Sequence, residues 1–322
     1  MVDTLIPSRA ARPSVLPTER LQPNGMLRPE LRRELRTIDD RRNAITVIVL
    51  WLSVAAIFEI ATWSARWWVV VLAFFLMGPI YVRFAILMHE AAHRLLFTSK
   101  KTNDFVGKWL IAYPAFVPIG LYRRSHFAHH REEFGPEEPD IAFYRGYPCE
   151  PAALRRRLVR DAIGISGWKN LKVLLLATRS KQGRTIAVPI LGIQLALWAI
   201  SWVATGAWWA YPVLWLAPWM TQWRVLNRLR AIGEHGGMEK NDDRRATTHN
   251  VAQHWMARFW FVPYNTGWHL AHPVDMGIPW RNLPRYHAEL EAAGYVTPEI
   301  TYPSYFALWR AATSKAPSET SA

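Results

Sequence analysis

Cysteine is almost missing from this chain: Cys149 is the single one in 322 residues. That excludes an intramolecular disulfide and any thiolate-rich zinc or iron–sulfur site. Acidic side chains are also scarce. There are 25 Asp and Glu against 39 Lys and Arg, a formal net charge of +14. A secretory signal is not expected, because the first 40 residues are rich in Arg and Pro and hold no apolar core. A transit peptide would be Arg-rich too, but Asp3 and Glu19 count against one. No internal repeat is evident. The ends, 1–25 and 312–322, are rich in Pro, Ser and Ala and read as disordered.

What the chain does contain is long apolar runs separated by basic stretches. Apolar residues make up 51%, with 18 tryptophans, yet mean hydropathy is near zero. A basic protein of this kind is read either as a nucleic-acid binder or as a membrane protein with basic loops on an anionic face. The basic residues flank the apolar runs, so the membrane reading is taken and no nucleic acid is expected.

A helix needs about 20 mostly apolar residues to span the hydrocarbon core. Four segments qualify, in two pairs: Ala44 to Trp63, Trp67 to Met88, Thr185 to Thr205 and Ala207 to Val225. Only Ser64, Ala65 and Arg66 separate the first pair, and Gly206 the second. Each pair reads as a tight helical hairpin, with Trp63, Trp67, Trp68, Trp208 and Trp209 at the turns, where tryptophan favours the headgroup level. The turns hold one Arg and no Lys. The N-terminal segment, the 155–184 loop and the stretch from Arg224 to Arg230 are rich in both or either. Both termini and the central loop are therefore expected in the cytoplasm. Glu59 and Arg83 interrupt the first two spans near their ends and are read as snorkelling. The apolar stretch from Phe105 to Leu121 is broken by Pro114 and Pro118 and reads as interfacial or re-entrant. The expected fold is all-α and integral to the membrane: four transmembrane helices in two hairpins and a cytoplasmic helical cap. The expected division is a disordered basic segment over 1–40, a membrane domain over 41–300 and a tail over 301–322.

There are 11 histidines, and most are clustered. His89 and His93 form H-E-A-A-H at the end of the second span. His126, His129 and His130 form H-F-A-H-H. His235 stands in E-H-G-G, and His269 and His272 form H-L-A-H. Residues three or four apart share a helix face, so each cluster can aim its imidazoles at one point. The topology gathers all four at the cytoplasmic surface. Neutral imidazole suits iron, zinc, copper and nickel, and eight imidazoles suit two metals with about four each. H-E-A-A-H alone also fits a zinc protease, with Glu90 as general base, but that leaves the other clustered histidines unexplained. Of the rest, His249, His254 and His287 are read as mostly structural, and Asp140 as a loop anchor.

These motifs resemble the three histidine boxes of the membrane fatty acid desaturase superfamily. H-E-A-A-H-R-L-L-F is similar to the first box, R-S-H-F-A-H-H-R to the second, and Y-N-T-G-W-H-L-A-H-P to the third, followed by I-P-W-R-N-L-P. The resemblance covers roughly residues 40–295. It implies two iron ions, molecular oxygen as co-substrate and two electrons from an external carrier, ferredoxin-like or similar. It makes His89, His93, His126, His129, His130, His269 and His272 iron ligands and matches His235 to an extra histidine after the fourth span. Asn265 falls where the family often has Asn, as an outer or water-mediated partner. Glu90 is then an outer group hydrogen-bonded to an imidazole, or has no special role. One departure stands out. The third box should end in a histidine pair, but position 273 is proline. One iron then lacks a ligand, for which water, Asp275 or Glu234 could substitute, and His272 is expected in an extended or turn conformation.

The expected activity is O2-dependent desaturation of a fatty acyl chain carried by a membrane lipid or lipid-linked acyl group. A hydroxylase or ketolase of the same superfamily, acting on a lipid or carotenoid, is the alternative, and a membrane H-E-x-x-H zinc protease the second. An apolar channel lined by aromatic residues at the cytoplasmic ends of the spans is expected to set chain depth. Arg123, Arg124 and the 155–184 loop would attract an acidic electron carrier, or simply bind headgroups. The location expected is a bacterial inner membrane.

Overall fold

The computed structural model describes residues 4–315. Nearly all regular structure in it is helical. The named strands among the described residues are Asn250–Val251 and Thr301–Tyr302, which pair in parallel. The chain divides into two compact units. One holds residues through Thr37, Arg124–Arg157 and Arg228 onward; the other holds Ile38–Arg123 and Leu158–Asn227. Contacts thus group segments distant in sequence.

The unit of Ile38–Arg123 and Leu158–Asn227 carries the apolar helices. Among the described residues three helices are long and apolar enough to cross a bilayer: Asp40–Ser64, Trp67–His93 and Lys181–Thr205. Asp39 caps the first by accepting from the Arg42 N–H, and Ser180 caps the third by accepting from Gly183 N–H. Left-handed residues end them, Ala65 at φ 49° and Gly206 at φ 71°, where glycine carries no Cβ penalty. Trp63, Trp67 and Trp208 at the turns are among the most exposed large side chains, as an interfacial aromatic belt requires.

The fourth expected segment, 207–225, is not one regular helix. It is a π-helical turn at Pro212–Leu216, an α-turn at Ala217–Met220, a break at Thr221, and then the helix Gln222–His235. Pro212 and Pro218 supply no N–H, which interrupts the i→i−4 ladder.

The 105–121 stretch is non-regular where Pro114 falls, with Phe116 at φ 63°. Side chains of other helices pair its carbonyls, those of Tyr113, Pro114 and Ala115 in buried contacts. Trp51 donates to Leu110 O (3.0 Å), Gln194 to Tyr113 O (2.7 Å), Trp215 to Pro114 O (3.2 Å) and Trp219 to Ala115 O (3.2 Å). Irregular backbone is tolerated in a lipid environment only when protein groups pair it in this way. Arg83 lies in the second helix and donates to Pro79 O at 2.9 Å. An apolar cavity of about 160 Å³ lies between the first and third helices, lined by Trp51, Val54, Phe58, Leu197, Ile200 and Tyr211. Its lining residues on those two helices lie in their C-terminal halves. The histidines of the second helix stand at its own C-terminal end, across the hairpin from that half. The cavity is therefore not the channel expected beside them.

In the other unit, residues 4–36 are not the disordered segment expected. Leu27, Leu31 and Leu35, four apart, bury one stripe together with Val15 and Leu21 against Leu270, Val274, Ile278 and Trp280. Arg32 grips Asp275 with two bonds, Nε to Oδ2 (2.7 Å) and Nη2 to Oδ1 (3.1 Å). Asn282 donates to Leu35 O (2.7 Å) and Tyr286 to Gly25 O (2.8 Å). Composition pointed to disorder, and the spaced leucines outweigh it. Near the other end, Ser304 caps the helix Tyr305–Ala312, which buries Tyr305 and Leu308 against Val251 and Val262. The expected disordered ends at 1–3 and 316–322 lie outside the described residues.

Candidate metal centre

The first box ends the Trp67–His93 helix. Its terminal carbonyls are capped from outside the helix. Asn103 donates to Ala91 O (2.9 Å), and Arg123 donates to Ala92 O (2.8 Å) and Ala91 O (2.9 Å). Asp104 holds Arg123 at 2.7 Å and Arg94 at 3.0 Å. A Cβ on Gly107 would collide with the Ala91 methyl, so only glycine permits this approach. The caps fix the last turn and with it the rings of His89 and His93, whose centroids are 4.7 Å apart. Glu90 is buried, with Oε1 3.6 Å from His89 Nδ1. Arg123 is thus occupied in capping rather than presented as a docking cation.

The second box lies on the helix Ile119–Glu132. His126 and His130, four apart, bring their Nε2 atoms to 3.0 Å. The third box brings His272 Nε2 to 3.2 Å from His130 Nε2, and donor atoms of His126, His130 and His272 all lie within 4.8 Å of one another. His129 points to a different set. Its ring is 5.0 Å from His235, whose ring is 5.3 Å from His269. His235 and His269 bring Nε2 atoms to 3.3 Å. Six of the eight histidines selected from sequence thus form two triads within one unit, and all but His269 are buried.

The outer nitrogens of His129, His130, His235 and His269 face acids or a carbonyl. His129 Nδ1 meets both Glu138 oxygens at 3.0 Å, with the Tyr144 hydroxyl at 3.3 Å. His235 Nδ1 donates to Thr247 O at 2.8 Å. His130 Nδ1 is 3.8 Å from Glu133 Oε1, and Glu133 is held by Arg244 at 2.7 Å. His269 Nδ1 is 3.7 Å from Glu234 Oε1, and Glu234 is held by Arg230 at 2.8 Å. Metal-bound histidines almost always direct the second nitrogen to such a partner. A carbonyl can only accept, so His235 is protonated on Nδ1 and presents a lone pair at Nε2. That lone pair faces the Nε2 of His269, an arrangement a shared cation stabilises. Two ligands about 2.1 Å from one metal stand roughly 3.0–3.4 Å apart, which is the spacing of these pairs. The residues fit a metal centre held by neutral nitrogen, of the kind iron accepts.

The electrostatics agree. Burial lowers His235, and burial pushes His269 down to about 3, so both stay neutral. Burial would also lower His129, but the Glu138 hydrogen bond and charge raise it instead. Burial works to raise the Glu133 carboxyl, and the His130 contact and the charge of Arg244 override it, holding it ionised.

Other residues fall elsewhere. His249 Nε2 donates to Gly236 O (2.7 Å) and props the turn after His235. His254 caps the helix Trp255–Trp260. His287 is buried beside Glu291 at 3.3 Å. Asn265 accepts from Arg258 at 3.3 Å, and Asp275 is engaged by Arg32. Asp140 tethers its loop, donating its N–H to Glu138 at 3.0 Å, and groups with His129 and Glu138. His272 is not extended: it lies in the one-turn helix Ala271–Val274. Pro273 sits in the first turn, where no N–H is needed. Glu133, Glu138, Tyr144 and Thr247 were not singled out from sequence. Glu133 was legible, three and four residues after His130 and His129 and just past the end of their helix. Glu138 and Thr247 come from loops and Tyr144 from the short helix Ile141–Tyr144, whose paths the sequence does not give.

Three helices long and apolar enough to cross a bilayer, with a nest of mostly buried imidazoles backed by carboxylates, point to a membrane protein with a histidine-rich centre. The family model described as fatty acid desaturase matches residues 65–306, and the chain belongs to that family. It is 26% identical over 244 residues to dihydrorhizobitoxine desaturase of Bradyrhizobium elkanii, covering 70% of this chain and 69% of that protein. It is 32% identical over 83 residues to β-carotene 4-ketolase of Protosiphon botryoides, 26% of this chain and 21% of that protein. Family and relatives mark an oxidoreductase.

Proposed function

We propose that this chain is a membrane di-iron enzyme that desaturates a lipid-linked fatty acyl chain with O2. The observation that carries the reading is the gathering of six imidazoles at ligand spacing, four of them with an outer nitrogen facing an acid or a carbonyl. The ligand set proposed is His89, His93, His126, His129, His130, His235, His269 and His272. When bound, the irons supply the oxidising power needed to break an unactivated C–H bond. The residues of the chain supply the rest. Glu133, Glu138 and Glu234 orient imidazoles and offset the charge of the ions. Burial keeps His235 and His269 unprotonated. We further propose four spans in two hairpins, both termini in the cytoplasm of a bacterial inner membrane, and an external electron carrier. Exposed tryptophans at the turns and the basic flanks support that orientation.

Hydroxylation or ketolation is the second reading, favoured by the match to a ketolase. The longer match is to a protein named for dihydrorhizobitoxine, so the substrate is assigned by assay. The test is mass-spectrometric profiling of membranes expressing the full chain, aerobically and anaerobically, beside a His130→Ala control. A product lacking two hydrogens that needs both O2 and His130 supports desaturation. A product gaining oxygen shifts the assignment to the second reading. No O2-dependent product and no bound iron would overturn both. Zinc with peptidase activity lost in Glu90→Gln would establish the protease alternative instead.

A further inference from the structure

The apolar cavity between the helices Asp40–Ser64 and Lys181–Thr205 is built as a groove. From Trp51 to Glu59 and from Leu197 to Thr205 its lining residues recur at i, i+3, i+4, i+7 and i+8, one face of each helix. The two faces run side by side in the same direction. Trp51 donates to Leu110 O (3.0 Å), and Gln194, just before Leu197, donates to Tyr113 O (2.7 Å), so both helices are level at one stretch of chain. At 1.5 Å per residue, Glu59 stands about 12 Å beyond Trp51 and Thr205 about 12 Å beyond Leu197. Apolar side chains therefore line the part nearer the helix middles. Glu59, Ser201 and Thr205 gather where both helices end. Exposed Trp63, one turn beyond Glu59, marks the headgroup level there.

Every side-chain N–H and O–H on the lining is committed within the protein. Trp51 and Trp215 donate to Leu110 O and Pro114 O, and Tyr211 to Gln194 Oε1 (2.8 Å). Ser201 donates to Trp198 O (2.9 Å) and Thr205 to Ser201 O (2.7 Å). What the groove offers is acceptors: hydroxyl lone pairs and the Glu59 carboxylate. Among the described residues nothing hydrogen-bonds or ion-pairs with that carboxylate; the Thr62 hydroxyl meets the Glu59 backbone carbonyl instead (3.2 Å). An acid on a membrane-crossing helix calls for a cationic or donor partner.

We propose that the groove binds a phospholipid with a primary ammonium headgroup. Its N–H groups meet Glu59 and the Ser201 hydroxyl oxygen, and part of one acyl chain lies along the apolar stripes. An anionic headgroup would meet acceptors only, and a quaternary headgroup carries the charge but no N–H. A cavity of about 160 Å³ takes a benzene-sized stretch of hydrocarbon, and the rest of the tail stays in the bilayer.

The test is native mass spectrometry of the full-length protein after equal additions of phosphatidylethanolamine, phosphatidylcholine or phosphatidylglycerol with identical chains. Phosphatidylethanolamine should be retained about tenfold or more over phosphatidylglycerol, the factor one charge-assisted hydrogen bond supplies, with phosphatidylcholine between them. Glu59→Gln should bring phosphatidylethanolamine down to the level of phosphatidylcholine, and Glu59→Lys should reverse the order in favour of phosphatidylglycerol. Ala204→Phe, which fills the groove, should lower retention of all three. Equal retention of phosphatidylethanolamine and phosphatidylglycerol by the wild-type chain would overturn the proposal, and that comparison needs no variant. So would a full preference surviving in Glu59→Gln, or wild-type retention in Ala204→Phe. A wild-type dimer abolished by Ala204→Phe would give the groove to a second copy of the chain and overturn the lipid assignment.

Discussion

At the scale of single residues, the site depends on side chains that would not touch metal. Glu138 fixes His129 through Nδ1, so Glu138→Ala is expected to weaken metal binding by about 10–100-fold. Competition with a chelator measures this, and unchanged affinity would show that the contact carries nothing. Asp275 is a fully buried carboxylate whose partner Arg32 is partly exposed. Arg32→Ala removes two charge-assisted hydrogen bonds and should cost about 1.5–3 kcal/mol, read as a lower midpoint of thermal unfolding in detergent. The histidines themselves were legible, because imidazoles at i, i+3 and i+4 announce a shared face. Their division into two triads was not, since it needs the rotation of each helix. Of the substitutes suggested for the missing ligand, Asp275 has both oxygens on Arg32, whereas Glu234 offers an oxygen within 4.8 Å of donor atoms of His235 and His269.

At the scale of elements, two expectations met proline. The 207–225 segment has the composition of a span, but Pro212 and Pro218 break its hydrogen-bond ladder into π and α turns. The 105–121 stretch was expected to be interfacial or re-entrant and broken by proline, and the structure shows how its irregular backbone is tolerated: Gln194, Trp215 and Trp219 satisfy buried carbonyls, and Trp51 pairs the more exposed Leu110 O. Gln194 also accepts from the Tyr211 hydroxyl at 2.8 Å. Gln194→Leu leaves Tyr113 O and Tyr211 OH without this partner, and a loss of about 1–3 kcal/mol is expected. A thermal-aggregation midpoint equal to that of the wild-type chain would contradict it. Residues 4–36 were misjudged because composition was weighed over their leucine spacing, a signal that was present in the sequence.

At the scale of the whole molecule, the single buried cysteine is useful. In a Cys149→Ser background, Ala65→Cys and Lys240→Cys each place one thiol on an exposed residue. If the proposed orientation holds, a membrane-impermeant maleimide added to intact cells labels Ala65→Cys alone. After lysis it labels both. The reverse pattern would invert the topology, and labelling of both in intact cells would contradict the proposed topology.

Composition and spacing alone determined that this chain is helical, apolar enough for a bilayer, free of thiolate chemistry and rich in imidazoles at ligand spacing. Those properties are local: each depends on a few consecutive residues and the period of a helix. Tertiary structure alone decided which imidazole joins which triad, which acid stands behind each ring, and which side chains pair the carbonyls that proline sets free. Such choices depend on the rotation and approach of segments up to a few hundred residues apart, and no local period encodes them.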